Sequence, residues 1–267
     1  MEIRPEYTDA LDNLGVTLQK LGRLKESEAC YRFLLEIKPN SAEAHGSLGN
    51  ILHQLGLLEE AENCYRRAMQ IKPDFAELYN NLGNLLKETK RLPEAEAAYL
   101  RALELNPAYS EAYNNLGYLL QETKRLPEAE VAYRRALELK EDYADSYNNL
   151  GNLLKETKRL PEAEAAYRRA LELKPDFSEA YNNLGILLQE MKRQPEAEAA
   201  YRRALELKPD YPDAKWNLSF LLLILGRYTE AWPYHESRYD RNLKTVNRIP
   251  VLPYPQWQGE PLAGNRY

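Results

Sequence analysis

The chain has 267 residues, a formal net charge of −5 and a pI of about 5.5. This balance lacks the basic footprint that a nucleic-acid backbone requires, so we expect no nucleic-acid partner. Charged residues make up 29% of the chain and are spread evenly, as on a solvated helical surface. The longest apolar run, residues 220–225, is too short to cross a bilayer, so we expect no membrane-spanning segment.

The start of the chain, MEIRPEYTDA, has neither a basic start nor an apolar core, so we expect no signal peptide there. The two cysteines, Cys30 and Cys64, occupy a slot that alanine fills in later copies of the pattern described next. We interpret them as small buried side chains rather than as a disulfide, because no secretory signal accompanies them. These features predict a soluble, cytoplasmic protein in a reducing compartment.

The sequence YNNLGNLLKETKRLPEAEAAY occurs at residues 79–99 and again, letter for letter, at residues 147–167. The offset between the copies is two 34-residue steps, and glycine, tyrosine and proline also recur at this step. A period of this length is the signature of a repeat architecture. The glycines are Gly15, Gly49, Gly83, Gly117, Gly151 and Gly185, and Ser219 takes the next position.

These positions divide the chain into repeats 1 to 7. The repeats start at Thr8, Ala42, Ala76, Ser110, Ala144, Ser178 and Pro212. Residues 1–7 align with residues 205–211, so we expect them to be the end of a preceding partial repeat, with either more chain upstream or a lost front half. Residues 8–211 then hold six 34-residue repeats, residues 212–241 a divergent seventh capping repeat, and residues 242–267 a Pro-rich extended tail or linker.

Within repeat 3, leucines recur at helical spacing over residues 76–89 and predict a first helix. Residues 90–93 form a turn, and Pro93 starts a second helix, where its fixed φ is favourable. Gly83 lies inside the first helix, where glycine costs about 1 kcal/mol relative to alanine. We therefore expect Gly83 to permit close packing of the two helices, with Tyr99 filling the space beside it.

The pattern Tyr79-x-x-Leu82-Gly83-x-x-Leu86, then Ala95-x-x-x-Tyr99, Ala102 and Pro107, resembles the tetratricopeptide repeat. The resemblance implies an all-α fold, a right-handed superhelix (α-solenoid) of about seven helix-turn-helix repeats with a non-repeat C-terminal tail. It also implies that the first helix of each pair lines a concave groove. Members of the family generally bind an extended peptide or a partner helix there.

Three rows of positions lie on the face of each first helix opposite the leucines. The first groove row is Asn13, Ser47, Asn81, Asn115, Asn149, Asn183 and Asn217. The second groove row is Val16, Asn50, Asn84, Tyr118, Asn152, Ile186 and Phe220. The third groove row is Gln19, His53, Lys87, Gln121, Lys155, Gln189 and Leu223.

The first groove row resembles the asparagine ladder of the nucleocytoplasmic O-GlcNAc transferase repeats, whose amides hold a peptide backbone. An amide suits that task because it offers a donor and an acceptor to any main chain. The alternative is that each asparagine bonds a neighbouring helix and joins the repeats. The peptide-binding groove is expected to comprise Asn81, Asn84, Lys87, Asn115, Tyr118, Gln121, Asn149, Asn152, Lys155, Asn183 and Gln189.

The second and third groove rows alternate. Repeats 3 and 5 combine Asn with Lys, whereas repeats 4 and 6 combine an apolar residue with Gln. A partner could meet alternating polar and apolar pockets. Recent tandem duplication, or engineering towards a consensus, would give the same alternation without functional meaning.

Several kinds of site are disfavoured. Family members that hold acidic C-termini in a carboxylate clamp place a lysine at a position where this chain has no lysine, so we expect no such clamp. The residues at that position are Asp12, Asn80, Asn114, Asn148 and Asn182. The three histidines, His45, His53 and His235, share no metal-ligand spacing, and no phosphate loop or nucleophile motif occurs. We expect no catalytic residue, no metal, no cofactor and no enzymatic activity.

The last repeat departs from the pattern by gaining apolar and aromatic residues, which indicates that something packs on it. Its sequence LGRYTEAWPYHESRY, followed by PQWQGEPLAG, resembles the junction of bacterial proteins in which such repeats precede a glycosyltransferase-like domain. Three functions therefore compete. The chain is a protein-interaction scaffold that binds an extended segment, the substrate-recruiting N-terminal region of a larger bacterial glycosyltransferase, or an engineered scaffold without a native ligand.

Overall fold

The computed structural model describes residues 5–236, and every regular element in that range is a helix. The predicted C-terminal tail at residues 242–267, and most of the predicted partial repeat at residues 1–7, lie outside it. The helices are α1 (Pro5–Lys20), α2 (Leu24–Ile37), α3 (Ala42–Gln54), α4 (Leu58–Ile71), α5 (Ala76–Glu88), α6 (Leu92–Leu105), α7 (Ser110–Glu122), α8 (Leu126–Leu139), α9 (Ala144–Glu156), α10 (Leu160–Leu173), α11 (Ser178–Glu190), α12 (Gln194–Leu207), α13 (Pro212–Ile224) and α14 (Tyr228–Glu236).

The chain divides into two compact units, Met1–Glu141 and Asp142–Tyr267, called the N-terminal and C-terminal units below. In the N-terminal unit the helices pack in consecutive pairs, from α1 with α2 to α7 with α8. In the C-terminal unit the pairs run from α9 with α10 to α13 with α14. First helices of neighbouring repeats also touch, α3 with α5 and α5 with α7, and likewise α9 with α11 and α11 with α13. This architecture confirms the predicted all-α fold of helix-turn-helix repeats.

The two helices of a repeat meet where a glycine faces a fully buried tyrosine ring. A Cβ atom added to Gly83 would lie 2.6 Å from Cε1 of Tyr99, closer than carbon atoms approach. The other five repeated glycines face their tyrosines in the same way. The packing role predicted for Gly83 is thus confirmed, because any side chain there would displace the ring.

The turn between the helices of a repeat needs one residue in the left-handed region. In repeat 3 this residue is Lys90, with φ of 62°, whereas repeat 2 has Gly56, with φ of 77°. The amide of Lys90 donates to the Lys87 carbonyl, and the amide of Arg91 donates to the Leu86 carbonyl, which is the Schellman pattern. Lysine occupies this position in four consecutive repeats. Those lysines are Lys90, Lys124, Lys158 and Lys192.

Arginines at the start of the second helices join neighbouring repeats. Arg91 contacts Glu62 of the preceding repeat at 2.7 Å and Glu94 of its own helix at 2.6 Å. Arg125 repeats the arrangement with Glu96 and Glu128. Such exposed pairs contribute about 0–1 kcal/mol each, so they add to the packing without dominating it.

The two cysteines carry free thiols, as predicted. Cys30 and Cys64 are half-buried, however, whereas alanines in the same slot, such as Ala98 and Ala166, are buried. The prediction of small buried side chains is therefore corrected to partly exposed ones.

Candidate functional site

The first groove row joins neighbouring repeats through its amide nitrogens. In the N-terminal unit, Asn115 Nδ2 donates to Asn80 Oδ1 at 3.0 Å. In the C-terminal unit, Asn183 Nδ2 donates to Asn148 Oδ1 at 3.0 Å. The Nδ2 atoms of Asn115 and Asn183 therefore join neighbouring repeats, as the alternative interpretation of this row expects. The Oδ1 atoms of Asn115 and Asn183 accept no hydrogen bond from a residue within the described range, so they remain available to a ligand.

Asn81 makes a different bond from Asn115 and Asn183. Its Nδ2 donates to Asn50 Oδ1 at 2.9 Å rather than to the residue equivalent to Asn80 in the preceding repeat. That residue is Gly46, which has no side chain and therefore no acceptor. Asn81 turns instead to the second groove row of repeat 2.

The acceptors of these bonds are buried. Asn80, Asn114, Asn148 and Asn182 expose only 4–7% of their surface. A lysine of a carboxylate clamp is expected at this position, and the chain has asparagine there. These asparagines lie in the packed interior, and Asn80, Asn148 and Asn182 bind asparagines of the next repeat, so a ligand does not reach them.

In repeats 3 to 6 the second and third groove rows alternate because each buried tyrosine hydroxyl donates to one side-chain acceptor in one of these rows. In repeat 3, Tyr99 donates to Asn84 Oδ1 at 2.7 Å, and in repeat 5, Tyr167 donates to Asn152 Oδ1 at 2.7 Å. In repeats 4 and 6 the acceptor lies one turn further along the first helix. Tyr133 donates there to Gln121 Oε1 at 3.1 Å, and Tyr201 to Gln189 Oε1 at 3.0 Å.

The position that does not serve the tyrosine then faces the groove. In repeats 3 and 5 it is the third groove row, which holds Lys87 and Lys155. In repeats 4 and 6 it is the second groove row, which holds Tyr118 and Ile186. The alternation therefore has a structural basis, whatever its genetic origin.

Burial sets the charge behaviour of these groups. Desolvation raises the pKa of the Tyr99 and Tyr167 hydroxyls, which keeps them protonated as donors. Desolvation also lowers the pKa of Lys87 and Lys155, whose amines are half-buried. Lys87 Nζ lies 4.4 Å from the centroid of the Tyr118 ring, a cation–π contact. The ring itself is 48% exposed and accessible to a ligand.

Each unit has a cavity on the layer of first helices. In the N-terminal unit a cavity of about 250 Å³ lies among the first three repeats. Its lining residues are Gln19, Asn50, His53, Gln54, Tyr65, Asn81 and Asn84. We call this surface the polar groove. Of the eleven predicted site residues, Asn81 and Asn84 lie there.

In the C-terminal unit a cavity of about 480 Å³ lies between α11, α12 and α13. Its apolar lining residues include Ile186, Trp216, Phe220 and Ile224. We call this surface the apolar groove. Of the predicted site residues, Gln189 lies there, and the remaining predicted residues line neither cavity. The predicted site residues did not include Asn50, His53 and Phe220. Their positions in the second and third groove rows were a sequence signal that could have identified them.

Known protein families share this architecture. Family models described as tetratricopeptide repeat match residues 8–41, 74–142, 108–176, 143–210 and 182–242, and a further TPR repeat model matches residues 49–90. The chain belongs to the tetratricopeptide repeat family. No curated protein sequence matches it.

Solved structures of tetratricopeptide repeat proteins share the fold. The pilF protein of Pseudomonas aeruginosa is 24% identical, with a TM-score of 0.69 over 79% of this chain and 96% of that one. The Cut9–Hcn1 assembly of the APC/C contains a chain 16% identical, with a TM-score of 0.75, covering 80% of this chain and 43% of that one. YrrB, described as a TPR protein with an unusual peptide-binding site, is 22% identical, with a TM-score of 0.53 over 69% of this chain and 95% of YrrB.

The family assignment supports a protein-interaction scaffold. Within residues 5–236, no cluster of three or more His, Cys, Asp or Glu side chains is placed to hold a metal ion. No helix in this range combines the length and apolar character that crossing a membrane requires.

Proposed function

We propose that the chain binds an extended segment of a partner protein in a concave, Asn-lined groove formed by the first helices of the repeats. The observation that carries this proposal is a free donor beside a free acceptor. Asn84 Oδ1 accepts a hydrogen bond from the Tyr99 hydroxyl. The two N–H bonds of Asn84 Nδ2 donate to no residue between 5 and 236. One helical turn before it, Asn81 donates through Nδ2, and no residue between 5 and 236 donates to its Oδ1.

An extended peptide presents carbonyl and N–H groups in alternation, and this pair of amides complements both. Asn84 Nδ2 donates to a main-chain carbonyl, and Asn81 Oδ1 accepts from a main-chain N–H. The Tyr99 hydroxyl fixes the orientation of the Asn84 amide before the ligand arrives, which reduces the entropy lost on binding. Recognition of this kind depends on the main chain and tolerates many partner sequences.

The described peptide-binding site of YrrB supports the proposal, because it shows that a protein of this fold accommodates a peptide. The resemblance of the first groove row to the asparagine ladder supports it too. The proposal includes all eleven predicted groove residues, as contacts of a segment bound within the unit to which each residue belongs.

The test replaces donors and leaves the packing intact. Asn84→Asp and Asn152→Asp keep an oxygen for the Tyr99 and Tyr167 hydroxyls but remove the amide N–H groups. On an array of extended peptides, we expect this double variant to lose about tenfold in affinity, as two lost hydrogen bonds would cause. First-row asparagines are less suitable targets, because their nitrogens also join the repeats.

A matched control carries the same change of charge outside the groove. Asn63 is exposed on α4, a second helix, so Asn63→Asp should leave peptide affinity unchanged. Undiminished binding by the Asn84→Asp and Asn152→Asp double variant, with normal helix content by circular dichroism, would contradict main-chain recognition. Absence of any binding peptide for the unchanged chain would favour a scaffold without a native ligand.

A second candidate is the substrate-recruiting region of a larger bacterial glycosyltransferase. The exposed Phe220 and Ile224 side chains on α13 support it, because an uncovered apolar face favours packing of further protein. Of the residues that carry the resemblance to that junction, those at 225–236 are described, and those at 237–239 and 255–264 lie outside the described range. Sequencing the parent gene beyond Tyr267 tests this candidate, and a stop codon at that point excludes it.

A further inference from the structure

Lys87 and Lys155 are cations on the groove face that lack an ion-pair partner. No carboxylate within the described range lies at salt-bridge distance from either amine. Lys87 Nζ instead lies over the Tyr118 ring, and Lys155 faces a repeat that has Ile186 in place of that tyrosine. Partial burial removes water from both amines and lowers their pKa, and this outweighs the opposing attraction of Glu122 for Lys87 and of Glu190 for Lys155.

The equivalent position in repeat 2 shows what a partner for these lysines would be. His53 occupies it, and His53 Nε2 lies 2.7 Å from Glu88 Oε2 of the following repeat. The glutamates equivalent to Glu88 are Glu122, in the repeat after Lys87, and Glu190, in the repeat after Lys155. Each lysine is therefore followed, in the next repeat, by a glutamate at the position equivalent to Glu88, which pairs with His53.

Those glutamates are bound by other lysines. Lys90 Nζ lies 3.0 Å from Glu122 Oε1, and Lys158 Nζ lies 2.8 Å from Glu190 Oε1. Lys90 and Lys158 are the left-handed residues of the turns. In repeat 2 the corresponding turn residue is Gly56, which has no side chain to compete with His53. The turn lysines thus leave Lys87 and Lys155 unpaired.

We propose that Lys87 in the N-terminal unit and Lys155 in the C-terminal unit each bind a carboxylate of a glutamate or aspartate side chain in a partner segment bound to that unit. This inference rests on the proposed function, which brings such a segment to the groove. One unpaired amine matches the single charge of a carboxylate, whereas a phosphate dianion would need a second cation or a bidentate arginine. The nearby turn lysines do not supply that second cation, because their own glutamates hold them.

The test compares matched peptides on the full chain. Each array peptide is made in a glutamate version and a glutamine version, and affinities are measured by fluorescence anisotropy at low salt. We expect the unchanged chain to prefer the glutamate version by about tenfold, as charge-assisted hydrogen bonds allow. Lys87→Met with Lys155→Met should abolish this preference and leave the affinity for the glutamine version unchanged. Lys25→Met, an exposed lysine on α2, is the control and should change neither.

A second variant separates recognition from structure. Lys90→Gly removes the competitor for Glu122 and relieves the left-handed turn, so the protein should be no less stable. Glu122 is then free to pair with Lys87, and the preference for glutamate should fall. Lys124→Gly makes the same change in repeat 4, whose third groove row holds Gln121, and should leave the preference unchanged.

Equal affinity of the unchanged chain for the glutamate and glutamine peptides would overturn the inference and leave main-chain binding standing. So would a glutamate preference that survives in the Lys87→Met and Lys155→Met double variant. Failure to bind any peptide of either version would instead overturn the proposed function itself.

Discussion

The polar groove of the N-terminal unit and the apolar groove of the C-terminal unit are built on the same repeating frame and differ in what they present. The first displays Asn50, His53 and Asn84, and the second displays Ile186 and Phe220. Beneath both, a tyrosine hydroxyl binds an amide oxygen. Tyr65 uses Asn50 in the second groove row, whereas Tyr201 uses Gln189 in the third.

The buried hydroxyl limits what the surface of either groove can vary. In repeats 2 to 6 one of these two positions supplies the acceptor, since an unsatisfied buried hydroxyl is costly. In repeat 1 the Tyr31 hydroxyl instead donates to the main-chain carbonyl of Asp12 at 3.4 Å. In the other repeats the position not used as an acceptor is free to become a cation or an apolar residue. Groove chemistry can therefore change in steps of one repeat without disturbing the helix packing below.

The largest expected effect on stability concerns the contact between glycine and tyrosine that lies beneath both grooves. Gly83→Ala in the N-terminal unit and Gly185→Ala in the C-terminal unit each place a Cβ within 2.6 Å of a tyrosine ring. Each should lower the free energy of unfolding by roughly 2–3 kcal/mol through overpacking. Urea titration followed by circular dichroism measures it.

Repeat 7 supplies the control for that prediction. Ser219 occupies the glycine position there, and His235 replaces the tyrosine. Ser219→Ala removes only a hydrogen bond to the Trp216 carbonyl and should cost about 0.5–1 kcal/mol. If the glycine variants cost no more than this one, the close packing does not limit stability.

The next prediction tests whether the buried tyrosine hydroxyl requires a side-chain acceptor. It changes repeat 3, which uses Asn84, into a repeat with the acceptor position of repeats 4 and 6. Asn84→Ile should cost about 1–2 kcal/mol, because the Tyr99 hydroxyl loses its acceptor. Adding Lys87→Gln supplies the acceptor used in repeats 4 and 6 and should recover most of that loss. A double-mutant cycle in urea measures the coupling between the two changes. Simple additivity of the two single variants would disprove this requirement.

A smaller effect concerns the turns. Lys192→Gly should raise stability by about 0.5–1 kcal/mol, the relief of a left-handed backbone less the added entropy of glycine in the unfolded chain. Lys158→Gly should raise it less, because it loses the contact with Glu190. Thermal and urea unfolding measure both. The reverse change, Gly56→Lys, should destabilise, and a neutral result there would remove the backbone explanation.

The smallest effect on stability is expected in the apolar groove. Phe220 is 52% exposed, so Phe220→Ser should change the free energy of unfolding by less than about 0.5 kcal/mol. It should nevertheless reduce the fluorescence of the apolar dye ANS bound to the native protein. Val131, an isolated exposed residue on α8, gives the control variant Val131→Ser, which should leave the dye signal unchanged. Equal dye binding by both variants would show that the exposed Phe220 side chain does not contribute to binding of the apolar dye.

The sequence predicted the frame because the frame is periodic. Gly83, Tyr99 and the leucines recur at fixed steps, and their spacing alone indicates paired helices. The contacts of the groove amides were not predictable in this way. Helical periodicity assigns Asn81 to a face of its helix, but it does not identify the acceptor of its amide. That acceptor is Asn50 Oδ1, because Gly46 has no side chain to accept the bond. The ion pair between Lys90 and Glu122 likewise depends on a left-handed turn residue. Glycine usually occupies such a position, so a lysine in the sequence did not indicate the turn.

The asparagine hydrogen bonds described between repeats join consecutive repeats only. A gene that encodes such a chain can gain or lose whole repeats by recombination without removing any contact that a distant repeat needs. The identical stretches at residues 79–99 and 147–167 favour such an exchange in steps of two repeats. An exchange of that size preserves the pairing of every tyrosine with its acceptor, so copies of different lengths would keep the same alternation of cationic and apolar groove positions.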